Sequence, residues 1–563
     1  MPMTPPRGNR ARLTLTWLAL VLGLAILLFP GRSHATVPTI SVGTITNPYT
    51  PANTMMYSVP VTVGDYAADA DHDGRVGFRI SSGNCAVGGG WRFTEVHRFA
   101  TSTTHTFTLY NFNPGQTYQY RAEVGPVGST NSTCGTLGTP SLPTDLGYLD
   151  LDYDGSGGFA TDFVLIDTSD CGATTQRDYI IAIDANGQFI SWYLDVAAIA
   201  GSGGTSLQGW RFQKGTGPTD DRFMAILNRR YLYEWDWTGA TRNVRDFGDV
   251  CASAAGDDGP CIHHDAFKLA ATGTSYVLSS AISTEDPAGT GWDGVCNAGD
   301  RFVNDGFDEL DSSLSTTDSP DAMTDWGYDP EVDGGENEGA ASACNAGYWD
   351  PYFVTRPLDW MHPNSVTAHK PGSDVLVDLS FKEWNQVIRV NASTNAVVWR
   401  MANDSTWSTL TLAISGGITG SAGFSDQHMV HDIDGFVQMF DNTGGPSGTS
   451  RVLRWQLSGG PPVTTATIVR SWELEEADGT DLTCPGQGSG ITVLGTSGNS
   501  VLALCNEQRL VEELNDYDGE TSAEPPLIIQ LATDPCTSEG GPDAHNEMRG
   551  WYRAFPVEQI GPF

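Results

Sequence analysis

The chain has 563 residues, with 30 Lys+Arg against 68 Asp+Glu and a formal net charge of −38. So acidic a molecule repels nucleic acid and anionic membrane surfaces, which sets those partners aside, and an anionic ligand would need a locally positive pocket. With 65 Gly, 31 Pro and 16 Trp, and short alternating apolar runs between Gly/Asn/Asp turns, the sequence reads as all-β.

In chain order, Arg7, Arg10 and Arg12 precede an apolar run from Leu13 to Phe29, followed by Pro30 and Ser33-His34-Ala35. This pattern predicts a secretory signal peptide over residues 1–35. Its removal leaves no stable membrane anchor and puts the mature chain in the periplasm or outside the cell. Residues 38–140 form a first unit, with strands expected over 56–63, 76–80, 106–110 and 118–124 and a turn at Asn113-Pro114-Gly115. The turn leads into a strand carrying Tyr118 and Tyr120, as in the corner of fibronectin/Ig-like domains, so a small N-terminal β-sandwich is expected. A Pro/Gly/Ser/Thr-rich linker follows from Gly128 to Pro143.

Residues 145–563 carry a loose repeat. The stretch from Tyr179 to Trp192 and that from Val387 to Trp399 are each a strand, a polar turn and a second strand ending in Trp; 233–244 and 453–472 are weaker copies. The spacing suits about six four-stranded blades, that is, a six-bladed β-propeller. An insertion over 283–348, crowded with Asp, Glu and Gly, is expected as a surface excursion pinned by Cys296 and Cys344.

Ten cysteines in an exported chain imply disulfides. Nearest-neighbour pairing gives Cys85–Cys134, Cys251–Cys261, Cys296–Cys344 and Cys484–Cys505, and leaves Cys171–Cys536 to fasten the two ends of the repeat. Two aspartate series, Asp69/Asp71/Asp73 before Gly74 and Asp150/Asp152/Asp154 before Gly155, match the first half of an EF-hand-type loop. The twelfth positions are Ile80 and Thr161 instead of Glu, so structural calcium and solvated turns both stay open.

Three segments gather histidines ahead of apolar strands: Cys261-Ile-His-His-Asp265, Asp359-Trp-Met-His-Pro-Asn-Ser365 and Asp426-Gln-His-Met-Val-His431. If each opens the innermost strand of a different blade, their side chains converge on one sequence-distant cluster. The three segments resemble signature stretches of the bacterial arylsulfate sulfotransferases, as does Met439-Phe-Asp-Asn-Thr-Gly444. The resemblance implies a propeller enzyme with a small N-terminal sandwich. It moves a sulfuryl group from an aryl sulfate to a phenol by a ping-pong route and needs no cofactor. It further implies His428 as the nucleophile, with His362, Asn364 and His264 binding the sulfuryl oxygens and His263 as a neighbour inseparable from His264 by sequence.

One residue departs from that family. An arginine is expected after the His-x-Asn-Ser strand, and Lys382 stands there; lysine keeps the charge but loses the planar two-pronged grip. Two other readings therefore stay open: an exported propeller that binds a ligand or protein without chemistry, and a metal-dependent hydrolase or lyase using the same histidines. The sequence also leaves open the natural donor and acceptor, and whether two chains pair as a homodimer.

Overall fold

The structure is a computed structural model. It describes residues 39–143, 146, 151–154 and 163–474, with internal breaks, of which the longest are 65–71, 81–89, 170–176, 249–260, 284–301 and 329–360. Beyond 474 it describes the strands 491–494, 500–505, 509–513, 527–531 and 554–557. The expected signal peptide lies outside the described residues. Among those described, no helix is long and apolar enough to cross a membrane.

The chain divides into two compact units. One comprises residues 1–46, 58–108 and 117–137; the other comprises 47–57, 109–116 and 138–563. The first unit holds two antiparallel sheets. One orders Thr39–Val42, Tyr57–Gly64 and Thr104–Leu109; the other is built on His72–Ile80 paired with Thr117–Val124. Alternation decides which face is buried: Val59, Val61 and Val63 point inward while Thr62 stays exposed. Phe99 of one sheet meets Phe107 of the other at a ring distance of 6.3 Å.

The second unit contains six antiparallel-dominated sheets among the described residues. Four of them have an edge strand, called the first strand below, that pairs with the strand following it in the chain: Leu207–Gln213, Cys261–Leu269, Pro363–His369 and His428–Ile433, the last sharing its sheet with the earlier Thr411–Ile414 at the opposite edge. All four repeat stretches read from sequence are antiparallel strand pairs, for example Asp178–Asp184 with Ile190–Asp195 and Gln386–Asn391 with Ala396–Ala402. Their tryptophans are core: Trp192, Trp235, Trp399 and Trp472 are all essentially unexposed, and each such burial contributes roughly 2–3 kcal/mol.

Two sheets exchange chain ends. Ala554–Val557 pairs with Phe163–Ser169, while Leu151–Asp154 pairs with Leu527–Leu531. Phe555 packs edge-on to Trp210 at 5.0 Å, so the last described strand also contacts the next sheet.

Two expectations are corrected. The acidic insertion is not a surface excursion throughout: Phe302–Leu310 and Thr316–Asp318 are strands of the sheet begun by Cys261–Leu269. Its carboxylates enter the sheet because hydroxyls meet them. Ser280 donates to the buried Asp305, and Ser279 and Ser319 donate to Asp308.

The aspartate series are not half-EF-hand loops at any of their described positions. Asp73 and Gly74 are extended strand, paired with Arg98 and His97. Asp152 and Asp154 are likewise extended strand, paired with Gln530 and Ile528. A calcium loop must curl so that alternate carboxylates face one centre, whereas a backbone committed to a sheet ladder is straight. The loop conformation is therefore corrected at Asp73, Asp152 and Asp154; Asp69, Asp71 and Asp150 lie outside the described residues.

Cys134 and Cys261 are disulfide-bonded. The cysteines assigned to them, Cys85 and Cys251, lie outside the described residues, as do the side chains of the other six.

Candidate active site

Each of the four first strands is irregular near its start. Register shifts fall between Leu207 and Gly209, Ile262 and Ala266, Pro363 and Ser365, and His428 and His431. A bulge at the end of a strand re-aims the side chains beside it. At the last three of these shifts the side chains are the predicted ones: His263 and His264, Asn364 and His428. The left-handed backbone of His264 (φ 54°), His362 (φ 51°) and Met429 (φ 52°) marks the same places. Non-glycine residues held there cost about 1 kcal/mol or more each, a strain that concentrates at functional sites.

Buried polar braces hold adjacent first strands in register. The Val366 N–H donates to Asp265 and the Val430 N–H to Ser365, both at 3.0 Å. Aligned on these two braces, His264, Asn364 and His428 occupy one register in three successive sheets. Asp265 is further clamped by Arg211 at 2.7 Å. The aspartate of the His-His-Asp segment is therefore a structural tie, with both its oxygens engaged. At Gly209 an added Cβ would overlap the His264 carbonyl, so glycine is required for the two bulges to meet.

The structure separates His263 from His264. The Nε2 of His263 bonds Ser280, whose hydroxyl donates to Asp305, so this ring is tied into its own sheet. The His264 ring instead lies 4.9 Å from that of His362. Asn364 donates one amide N–H to the Gln427 carbonyl at 2.7 Å. Gln427 is a second brace: its amide donates to the carbonyls of Phe381 and Gln386 in the neighbouring sheet.

His428 is buried and oriented. Its Nδ1 lies 2.8 Å from the Asp426 carbonyl and 2.9 Å from Asn442 Oδ1. Both partners are acceptors, so Nδ1 carries the proton and Nε2 presents a lone pair. Burial, and next the charge of Lys382, push the pKa of His428 down to about 3. Burial and then the charge of His362 hold His264 well below the ordinary histidine value. Both imidazoles are neutral near pH 7.

Lys382 begins the turn between Leu376–Phe381 and Gln386–Asn391, and its N–H donates to the His362 carbonyl at 3.1 Å. The nearby Arg389 is excluded from the site: it is buried between Asp378 and Asp432, with contacts of 2.6 and 2.7 Å. Sequence reasoning missed Asn442, although it lies in a quoted family-like segment, and it missed Arg229, whose charge reaches His263 and His264. Nothing in the Asn228-Arg229-Arg230 sequence signals the latter.

The metal reading finds no support in donor geometry. Among the described residues the group whose donor atoms gather within 4.8 Å is His369, Asp378 and Asp432, not the histidine cluster. Arg389 already bridges the two carboxylates of that group.

Residues 154–445, just over half of the chain and including every histidine of the cluster, match the family described as Arylsulfotransferase (ASST). The chain belongs to that family. Membership implies a sulfotransferase enzyme, in agreement with the resemblance carried by the three histidine segments. No curated protein matches the chain. Among solved structures it is similar to dihydro-heme d1 dehydrogenase NirN in complex with DHE, at 8% identity, covering 78% of this chain and 73% of that one. The TM-score is 0.28, too low for that likeness to carry any argument.

Proposed function

We propose that this family member transfers a sulfuryl group from an aryl sulfate to a phenol through a covalent intermediate on His428. The observation that carries the reading is the fixed tautomer of that ring: Nδ1–H donates to Asp426 and Asn442, leaving Nε2 as an unprotonated nucleophile. In the first half-reaction Nε2 attacks sulfur, an N–S bond forms, and the S–O bond to the aryl group breaks with its electron pair leaving on the phenolate. In the second, the oxygen of an acceptor phenol attacks the same sulfur, its proton is lost, and the N–S bond breaks back to neutral His428. Negative charge stays spread over the three sulfuryl oxygens throughout. Fixed donors and cations around them lower the barrier as they do in phosphoryl transfer. His264, His362, Asn364 and Lys382 take that part, with His263 held behind them.

The scaffold reading is a six-bladed propeller. The ordered first strands, the braces between neighbouring sheets and the exchanged chain ends support it. It occupies 145–563 after a β-sandwich over 38–140, the mature chain being exported to the periplasm or beyond. No cofactor is required by this chemistry. Purified protein mixed with 4-nitrophenyl sulfate, with and without phenol, tests the function. Phenol-dependent nitrophenolate release that disappears in His428→Ala supports it, and no release with any phenolic acceptor contradicts it.

A further inference from the structure

The turn from Leu227 to Arg230 closes with an Arg230 N–H to Leu227 carbonyl bond of 3.0 Å. Its two central residues, Asn228 and Arg229, have φ of 53° and 55°. Positive φ at both places is the signature of a type I′ turn, for which Asn-Gly is the favoured pair. Asn228 suits it. Arg229 stands where glycine is preferred, at a cost in backbone strain. Strained backbone of this kind concentrates at functional sites.

The placement of this turn matters. It joins the second and third strands of its sheet, as the Lys382 turn does two sheets further on. Because the strands are antiparallel, both turns lie at the end where first strands begin. Each turn also abuts such a beginning: the Arg229 carbonyl accepts from Ile262 N–H at 3.2 Å, and the Lys382 N–H donates to the His362 carbonyl at 3.1 Å. The two cations act on different ends of the histidine row. Burial is the main cause of the low pKa of His263, His264 and His428; the charge of Arg229 adds a smaller push at the first two and that of Lys382 at the third.

We propose that Arg229 is a second anion-gripping residue of the active centre, holding sulfuryl oxygens of the aryl sulfate from the His264 side. A guanidinium there supplies the planar, two-pronged grip that Lys382 lacks. Arg229 would add a second cation to Lys382, whose Nζ lies 3.5 Å from Glu383, in a chain of net charge −38. This assignment rests on the sulfuryl-transfer reading.

The test compares wild type, Arg229→Gly and Arg229→Lys for calorimetric binding of 4-nitrophenyl sulfate, for kcat/KM with phenol, and for Tm. Glycine fits the turn, so Arg229→Gly should keep or raise Tm while weakening binding and lowering kcat/KM by about tenfold or more. Arg229→Lys should fall between that variant and wild type. Wild-type affinity and kcat/KM in either variant would overturn the proposal. Wild-type protein that binds the aryl sulfate without turnover would remove the sulfuryl-transfer reading, yet loss of that binding in Arg229→Gly would still support the grip. Wild-type protein that binds no aryl sulfate would overturn both.

Discussion

Asn442 Oδ1 lies 2.9 Å from His428 Nδ1, and so fixes which nitrogen of the ring carries the proton. The Asp426 carbonyl alone would still accept that proton, but from one direction only. Asn442→Ala should therefore leave His428 neutral and less well oriented, lowering kcat by about tenfold to a hundredfold with little change in KM. Steady-state kinetics with 4-nitrophenyl sulfate checks this; a KM effect alone would place Asn442 in binding instead.

The pH dependence has a definite sign. Burial holds the folded pKa of His428 at about 3, below the ordinary value of 6.5. The first half-reaction should thus show no loss of rate from protonation of the nucleophile between about pH 8 and 5. For stability, the unfolded chain takes up the proton that the fold excludes. The contribution is full above about 6.5 and is lost as pH falls below it, until the folded ring also protonates. His263, His264 and His369 are shifted the same way, mainly by burial. His428→Asn should consequently gain Tm relative to wild type at pH 5 and less so at pH 8, read by thermal melts at both.

Asp265 is assigned to the scaffold. Asp265→Ala removes the ion-pair partner of the buried Arg211 and the acceptor of the Val366 N–H. The expected loss is about 3–5 kcal/mol, visible as a fall in urea midpoint. A variant with wild-type stability and lost activity would instead make Asp265 part of the chemistry.

Lys382 lies next to the histidine row, and its charge is the second cause of the low His428 pKa. Lys382→Met should lower kcat/KM by about a hundredfold, whereas Lys382→Arg should hold it within about tenfold of wild type. Equal loss in both would mean that the shape of lysine, and not its charge, is needed.

Much of the strand layout was readable because alternation writes the buried face into the sequence, as in Tyr57–Gly64 and Thr104–Leu109. The histidine segments were readable because histidine is rare in this chain and each segment precedes an apolar strand. The bulges were not, because a register shift depends on the partner strand: nothing in the sequence around His264 or Met429 announces a left-handed backbone. The Phe302–Leu310 strand was misread since its carboxylates look solvated until Ser279 and Ser280 of the preceding strand, and Ser319 beyond the next turn, bond them. Asp152 and Asp154 misled in a similar way, because alternating carboxylates suit a strand as well as a calcium loop, and the partner strand that decides between them lies almost 380 residues away, Asp152 pairing with Gln530. Arg229 stayed hidden for a related reason, its turn lacking the glycine that would have marked it.

The central claim, a sulfuryl group carried by His428, is tested most directly by reacting the protein with 4-nitrophenyl sulfate in the absence of phenol and mapping the peptides at alkaline pH. The account predicts one sulfuryl adduct per chain, on the peptide containing His428, discharged by added phenol. An adduct on another residue, or phenol-dependent turnover with no adduct at all, would contradict it.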